Sequence, residues 1–272
     1  MEAQGDNTLI TVNKLTVCYD DRGKGKVPLI FIHGFPFDKS SWHYQMDHFM
    51  DIHRVIAYDL RGFGKSIEGE EKFSIGMFAD DLVGFMDALQ IPKAIICGLS
   101  MGGYIALNAV SRYAGRFEAL VLCDTQCAAD SDEAKENRNK SIAQLENNEI
   151  HEFMTGFIKA AFCTESMNKK QEEAVQVKQT ILSTSRTTLI STLHAMAERW
   201  ETCSILGEIR VPALILCGRL DTLISPAQSG YLHDHIKNSE FHFIEKSGHL
   251  PNIENPEEFN RLLQGFLSGL KK

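Results

Sequence analysis

Long hydrophobic runs are missing from this sequence of 272 residues. No stretch approaches the roughly 18 consecutive apolar residues that a membrane-spanning helix needs, so no membrane span is expected. The amino-terminal residues also lack the cationic segment and apolar core of a secretory signal, and a cleaved signal is not expected. Both absences favour a cytoplasmic location.

An excess of positive charge is missing as well. Lysine and arginine number 28 against 36 aspartate and glutamate residues, which gives a net charge of -8. A protein that binds nucleic acid typically carries a basic surface for the phosphate backbone. Nucleic acid is therefore not expected as a partner.

Paired cysteine motifs are absent too, because the seven cysteines are an odd number and include no C-x-x-C pair. Cys97, Cys123 and Cys217 each end an apolar run, where a free cysteine behaves as a small buried hydrophobe. Unpaired thiols in a reducing compartment fit this pattern better than a disulfide framework. His233 and His235 lie two positions apart on a predicted helix and face different ways. Neither a metal nor another cofactor is expected.

What the sequence does contain is an alternation of short apolar runs and amphipathic stretches. Two β-branched runs, residues 8–13 and 15–19, predict an amino-terminal hairpin. Six mostly apolar runs are predicted to be strands buried on both faces: residues 29–32, 55–58, 94–97, 119–123, 213–217 and 241–244. Helices are predicted between and after them, at residues 74–89, 103–113, 226–236 and 256–270. This order predicts an α/β fold with a mostly parallel central sheet flanked by helices.

Residues 125–208 interrupt the alternation, because they contain no convincing strand. Helices are predicted there at residues 131–145, 149–162, 172–182 and 187–199. Such helices could merely enlarge the core. Their position between two strands favours a helical cap over the carboxyl edge of the sheet, where α/β proteins bind ligands. Residues 1–124 and 209–272 would then form the core domain.

The segment Gly98-Leu99-Ser100-Met101-Gly102 matches the pattern G-x-S-x-G, in which a serine lies at a sharp turn between a strand and a helix. An apolar strand is predicted before it, and a helix rich in small residues after it. The two glycines remove side chains that would collide as the backbone turns back on itself. We interpret Ser100 as a catalytic nucleophile. The alternative is a glycine-rich structural turn with an idle serine.

A second turn, His33-Gly34-Phe35-Pro36, follows the first of the buried strands. The backbone N–H groups of Phe35 and Met101 are predicted to form an oxyanion hole, since two aimed donors suit the oxygen of a tetrahedral intermediate. We expect the His33 ring to bond to nearby backbone and to be structural.

A serine nucleophile needs a base, and His249 is the best placed of the ten histidines. It follows the last predicted strand on a glycine-containing loop, where a rigid sheet can deliver a side chain. Asp221 follows the preceding strand and is predicted to accept the far imidazole N–H, which fixes the tautomer. Asp124, at the end of an earlier strand, is a rival for this role.

The order Ser, Asp, His along the chain resembles that of the α/β-hydrolase superfamily. The resemblance rests on residues 33–35, 59–66, 98–102, 218–221 and 248–249, and it points to the small carboxylesterase and 3-oxoadipate enol-lactonase-like branch. It implies a serine hydrolase that cleaves small carboxylic esters through a Ser-His-Asp triad and an acyl-enzyme intermediate.

Several activities share this triad. Enol-lactonase, thioesterase, perhydrolase and C–C bond hydrolase activities stay open, as does a ligand-binding receptor or signalling protein of the same fold with little turnover. We expect a mostly apolar pocket, a small apolar ester or lactone as substrate, and a monomer or homodimer. The candidate substrate-binding residues are Phe35, Trp42, Phe153, Phe157, His194, Trp200, Leu223 and Leu250.

Overall fold

Eight strands form one sheet in the computed structural model, which describes residues 4–70 and 72–270. The strands are β1 (Gly5–Val12), β2 (Leu15–Arg22), β3 (Leu29–Ile32), β4 (Val55–Tyr58), β5 (Ala94–Leu99), β6 (Phe117–Cys123), β7 (Ala213–Gly218) and β8 (Ser239–Ile244). Their order across the sheet is β1-β2-β4-β3-β5-β6-β7-β8. Every pairing from β4 to β8 is parallel, whereas β2 runs antiparallel to both β1 and β4. The predicted hairpin and mostly parallel sheet are confirmed.

The central strands are buried on both faces, as their apolar sequences predict. Every residue of β3, β4, β5 and β7 is buried. The edge strand β8 is only partly buried, and it alone among the parallel strands carries several polar side chains. A parallel sheet covered on both faces is a rigid platform, and the loops at its carboxyl edge inherit that rigidity.

Eleven α-helices connect and cover the strands within the described residues. They are α1 (His43–Phe49), α2 (Ile75–Ala88), α3 (Met101–Tyr113), α4 (Asp132–Glu146), α5 (Ile150–Ala161), α6 (Thr164–Lys169), α7 (Gln171–Ser183), α8 (Arg186–Ala197), α9 (Pro226–His235), α10 (Pro251–Glu254) and α11 (Pro256–Gly269). Local sequence sets several of their starts. The Ser74 hydroxyl accepts the Met77 N–H at the start of α2, and prolines open α9, α10 and α11. None of these helices combines the length and apolarity that a membrane crossing requires.

Residues 125–208, which we call the helical insert, lie between β6 and β7 and contain five of these helices and no strand. Four of the five match the predicted helices, and the short α6 is additional. Helix α5 is amphipathic and buries Phe153, Met154 and Ile158 against the rest of the protein. The insert therefore packs on the core through an apolar face.

One disulfide joins Cys127, near the start of the insert, to Cys203, near its end. The expectation of unpaired thiols is wrong for this pair. The chain that returns from α8 passes beside the segment that leaves β6, and the Thr202 N–H donates to the Cys127 carbonyl oxygen at 2.7 Å. The other five cysteines, all within the described residues, are free and buried, as expected for those that end apolar runs.

Candidate active site

The carboxyl edge of the sheet brings the predicted catalytic residues together. Ser100 follows β5, and its N–H donates to the Cys123 carbonyl at 2.8 Å, at the end of β6. Asp221 lies just past β7 and His249 just past β8. The loops after these two strands also meet, since the Leu220 N–H donates to the Ser247 carbonyl at 2.9 Å. Parallel strands end at one edge, so these residues all lie at the same edge of the sheet.

Ser100 has the strained backbone of a nucleophile turn. Its φ of 53° and ψ of -113° lie in a region that residues with a side chain rarely adopt. A Cβ atom on Gly98 would lie 2.4 Å from the Gly102 carbonyl oxygen, and one on Gly102 would lie 2.3 Å from the Ile32 carbonyl oxygen. The glycines are therefore required on steric grounds, as the sequence predicts. The Thr125 hydroxyl donates to the Ser100 carbonyl at 2.8 Å and supports the turn from the side of the insert.

His249 and Asp221 form a buried hydrogen-bonded pair. The distance from His249 Nδ1 to Asp221 Oδ2 is 2.8 Å, and the two residues are 2% and 6% exposed. Asp221 Oδ1 accepts the N–H groups of Leu223 at 2.8 Å and Ile224 at 3.1 Å. Burial raises the pKa of Asp221, but the His249 ring and these backbone donors outweigh it and hold that pKa below its usual value. An ionised Asp221 accepts a hydrogen bond from His249 Nδ1–H. The proton therefore stays on Nδ1, and Nε2 keeps a free lone pair.

Asp124, the rival acid, also reaches this cluster. One carboxylate oxygen each from Asp124 and Asp221 and one ring nitrogen of His249 lie within 4.8 Å of one another. Asp124 is fully buried with a φ of 42°, and its Oδ1 accepts the Gly218 N–H at 2.8 Å. Burial, reinforced by the negative charge of Asp221, raises the pKa of Asp124 well above its usual value. Burial therefore favours the neutral form of Asp124, which holds the end of β7 through Gly218, and the imidazole bond goes to Asp221.

The loop after β3 approaches the serine. A Cβ atom on Gly34 would lie 3.2 Å from the Ser100 Cβ. Neither the Phe35 nor the Met101 N–H has a hydrogen-bond acceptor among residues 4–70 and 72–270. The Leu60 N–H donates to His33 Nε2 at 3.0 Å, so Nδ1 carries the proton and donates to the Gly34 carbonyl at 2.9 Å. Burial lowers the pKa of His33 to about 4, and the neutral ring has the structural role that its position in the sequence predicts.

An aromatic wall joins this loop to the helical insert. The centroid of the Phe35 ring lies 6.2 Å from that of Phe153 and 6.3 Å from that of Phe157, both in α5. Leu250, directly after His249, is fully buried. Leu223 is 41% exposed on the loop that carries Asp221. The structure therefore gathers five of the eight candidate substrate-binding residues around the carboxyl edge.

The other three candidates lie elsewhere. Trp42 is fully buried in the core, stacked on Phe31 at 4.8 Å between centroids. His194 is exposed, because α8 turns the neighbouring Leu193 inward. Trp200 is 87% exposed and lines a separate cavity of about 500 Å³. The lining of that cavity includes no residue of the Ser100, Asp221 and His249 set. The structure therefore gives no support to substrate binding by Trp42, His194 or Trp200.

Two features of the site have little or no signal in the sequence. The Ala161 carbonyl at the end of α5 accepts the His249 N–H at 2.8 Å, and a backbone carbonyl can belong to any residue type. Glu254 is a buried carboxylate that accepts the N–H groups of Gly248 and Leu250. The only indication of Glu254 is a charged residue within a short segment that is otherwise mostly apolar or amide-bearing.

Comparison with known proteins agrees with the fold. A family model described as the alpha/beta hydrolase fold matches residues 27–256. The chain is 27% identical over 265 residues to 3-oxoadipate enol-lactonase 2 of Acinetobacter baylyi, and the match covers 95% of each. It is 31% identical to a thermophilic esterase from Thermogutta terrifontis, with a TM-score of 0.92 over 97% of this chain and 99% of that one. An enol-lactonase from Burkholderia xenovorans LB400 is 25% identical, with a TM-score of 0.89 over 96% of this chain and 100% of that one. The chain belongs to the α/β-hydrolase family, in the branch of small esterases and enol-lactonases, and is a hydrolase.

Proposed function

We propose that this protein cleaves small carboxylic esters, with Ser100 as nucleophile, His249 as general base and Asp221 as the orienting acid. The observation that carries the proposal is the 2.8 Å bond from His249 Nδ1 to Asp221 Oδ2, at the sheet edge that also holds a strained serine. A serine becomes a useful nucleophile only beside such an oriented base. The names of the related proteins, esterase and enol-lactonase, support attack on the same type of bond.

The reaction proceeds through an acyl-enzyme. Ser100 Oγ attacks the ester carbonyl carbon while His249 Nε2 takes the hydroxyl proton, and the N–H groups of Phe35 and Met101 stabilise the oxyanion. The tetrahedral intermediate expels the alcohol, which receives the proton from His249. His249 then removes a proton from water, whose oxygen attacks the acyl carbon. The bond between that carbon and Ser100 Oγ breaks, His249 returns the proton to Oγ, and the acid is released. Asp221 stabilises the imidazolium in both halves of the reaction.

The substrate class follows from the side chains around the edge. The insert acts as a cap, and Phe153 and Phe157 of α5 meet Phe35 to form an apolar wall. The guanidinium of Arg199 lines the separate cavity beside Trp200 and binds Asp130 and the Ala128 carbonyl, so it is occupied by the fold rather than directed at a substrate carboxylate. A small, uncharged acyl group fits this setting best.

Replacing the nucleophile tests the proposal. Ser100→Ala should lower the hydrolysis rate of p-nitrophenyl acetate by on the order of 10⁴-fold or more, because a triad without its nucleophile retains little catalysis. Ser111→Ala is the matched control and should keep the wild-type rate. Ser111 is exposed and lies on α3, the helix that begins directly after Ser100. A Ser100→Ala protein that hydrolyses the ester at the wild-type rate would refute the proposal.

The remaining activities separate in a substrate panel. Equal-length esters, enol-lactones, thioesters and peracid formation share the acyl-enzyme, so their relative kcat/KM values rank the candidate reactions directly. The lactones are included because two of the relatives are enol-lactonases. A receptor would react once with a fluorophosphonate and change its melting temperature with ligand, but it would not turn over any of these substrates.

A further inference from the structure

Glu254, the last residue of α10, is a buried carboxylate held by hydrogen bonds. It is 7% exposed. Across residues 4–70 and 72–270, no lysine or arginine forms a salt bridge with Glu254. Burying a charge without a counter-ion is costly unless several donors solvate it. The position of those donors therefore indicates what this carboxylate does.

The donors lie on the two sides of the catalytic site. Oε1 accepts the Gly248 N–H at 2.8 Å and the Leu250 N–H at 3.2 Å, the backbone groups directly before and after His249. Oε2 accepts the Cys163 N–H at 2.8 Å and the Ser166 hydroxyl, where α6 of the insert begins. Four donors on two oxygens suit an ionised carboxylate, which only accepts.

A second set of contacts joins the same segments. The His249 N–H donates to the Ala161 carbonyl at 2.8 Å, and the Thr222 hydroxyl donates to the Ala160 carbonyl at 3.0 Å. The end of α5 thus binds the loop of the base and the loop of the acid together. With Glu254 in place, three consecutive backbone N–H groups, from Gly248 to Leu250, have fixed acceptors.

We propose that Glu254 is a positioning residue, which holds the His249 backbone in its catalytic geometry and couples it to the helical insert. The inference rests on the proposed role of His249. The His249 side chain is held by a single bond to Asp221, so the direction of the ring depends on the backbone that carries it. A displacement of about 1 Å in a catalytic group can lower a rate about 100-fold.

Steady-state kinetics of Glu254→Gln test this coupling. An amide can present its oxygen to only one pair of donors and turns an N–H₂ group toward the other pair. We expect kcat on p-nitrophenyl acetate to fall 10- to 100-fold, with KM changed less than threefold. Glu258→Gln is the matched control, since Glu258 binds the Glu245 N–H and the Asn255 amide instead. It should stay within twofold of the wild type.

Titration with a fluorophosphonate separates this effect from misfolding, because it counts the active molecules. If the loss of kcat in Glu254→Gln equals the loss of titratable sites, or if kcat stays within twofold, the proposal is overturned. Should that variant fail to fold, Glu254→Asp keeps the charge and shortens the side chain. It should lose kcat fivefold or more, and a wild-type kcat in this variant would also overturn the proposal.

A measurement without substrate keeps the test independent of the proposed reaction. The His249 Nδ1 proton should give a low-field NMR signal in the wild type that is lost in Asp221→Asn. Glu254→Gln should shift or broaden this signal, whereas Glu258→Gln should not. An unchanged signal in Glu254→Gln overturns the positioning role. This readout remains valid even if no ester is turned over and the proposed function itself fails.

Discussion

His249 has two buried aspartates beside it, Asp124 and Asp221, which follow neighbouring strands of the sheet. The sequence indicates both, because each follows a strand that ends at the same edge, but the strand pattern can only rank them. The hydrogen bond and the lowered pKa belong to Asp221, while burial raises the pKa of Asp124. When only one of two close carboxyl groups is ionised, the repulsion between two negative charges is avoided.

Asparagine substitutions distinguish the two aspartates. Asp221→Asn should lower kcat/KM for a p-nitrophenyl ester by on the order of 10⁴-fold, because the amide no longer holds the productive histidine tautomer. Asp124→Asn should remain within about fivefold of the wild type, since the amide oxygen can still accept the Gly218 N–H. If Asp124→Asn were the more damaged variant, the assignment of the orienting acid would have to be exchanged.

The same Asp124→Asn variant should be more stable than the wild type at alkaline pH. Folding raises the pKa of Asp124, so the folded state keeps a proton that the unfolded state loses above its usual pKa of 3.8. This contribution to stability is complete below that value and is lost as pH rises toward the folded-state pKa. We expect the variant to match the wild type near pH 4 and to be the more stable of the two at pH 8. Urea unfolding at the two pH values measures the difference, and an equal gain at both would contradict this account.

Whole elements followed from the sequence more reliably than single contacts did. Strands and long helices have apolar periods that reflect burial, and their predicted positions hold to within a few residues. Helix α6 has only six residues and no apolar period, so no pattern marks it. Phe153 and Phe157 lie four apart on the apolar face of α5, and both rings contact Phe35. His194 is exposed, and the sequence of α8 does not show clearly which side faces the core.

The disulfide is an element-scale feature that spacing in the sequence does not reveal. Cys127 and Cys203 are 76 residues apart, and they meet only because the insert returns to the place where it leaves β6. The disulfide should stabilise the fold mainly by restricting the unfolded chain. The loop-entropy relation gives about 4 kcal/mol for a loop of this length.

Replacing both cysteines with serine tests this contribution. Cys127→Ser/Cys203→Ser should melt roughly 10 °C below the oxidised wild type, given the usual relation between stability and melting temperature in a chain of this size. The wild type with a phosphine reductant should approach the variant, and the reductant should not alter the variant. A variant that melts at the same temperature as the oxidised wild type would contradict this contribution of the disulfide.

At the scale of the whole molecule, the edge that carries the proposed triad lies between the core and the helical insert. The contribution of the core is easier to predict from sequence than that of the insert. The core places Ser100, Asp221 and His249 at strand ends, and strand ends are predictable from hydrophobic patterns. The insert contributes mostly backbone carbonyls and ring contacts, whose partners depend on the tertiary fold. This difference explains why the proposed triad could be inferred from sequence, whereas the surroundings of Trp200 in the insert could not.

The contacts of the insert also predict how the molecule opens. Two ties connect it to the loops of the base and the acid: the Ala160 and Ala161 carbonyls, which accept from Thr222 and His249, and Glu254 of α10, which accepts from Cys163 and Ser166. A cap that moved freely would have to break bonds to His249 each time it opened, so α5 and the His249 loop should form one cooperative unit. Hydrogen exchange at low urea should therefore show peptides 150–161 and 245–254 opening with the same free energy and the same urea dependence. Exchange of the α5 peptide 100-fold faster than the loop peptide, without urea dependence, would show instead that the insert opens independently and that its bonds to His249 are not maintained in solution.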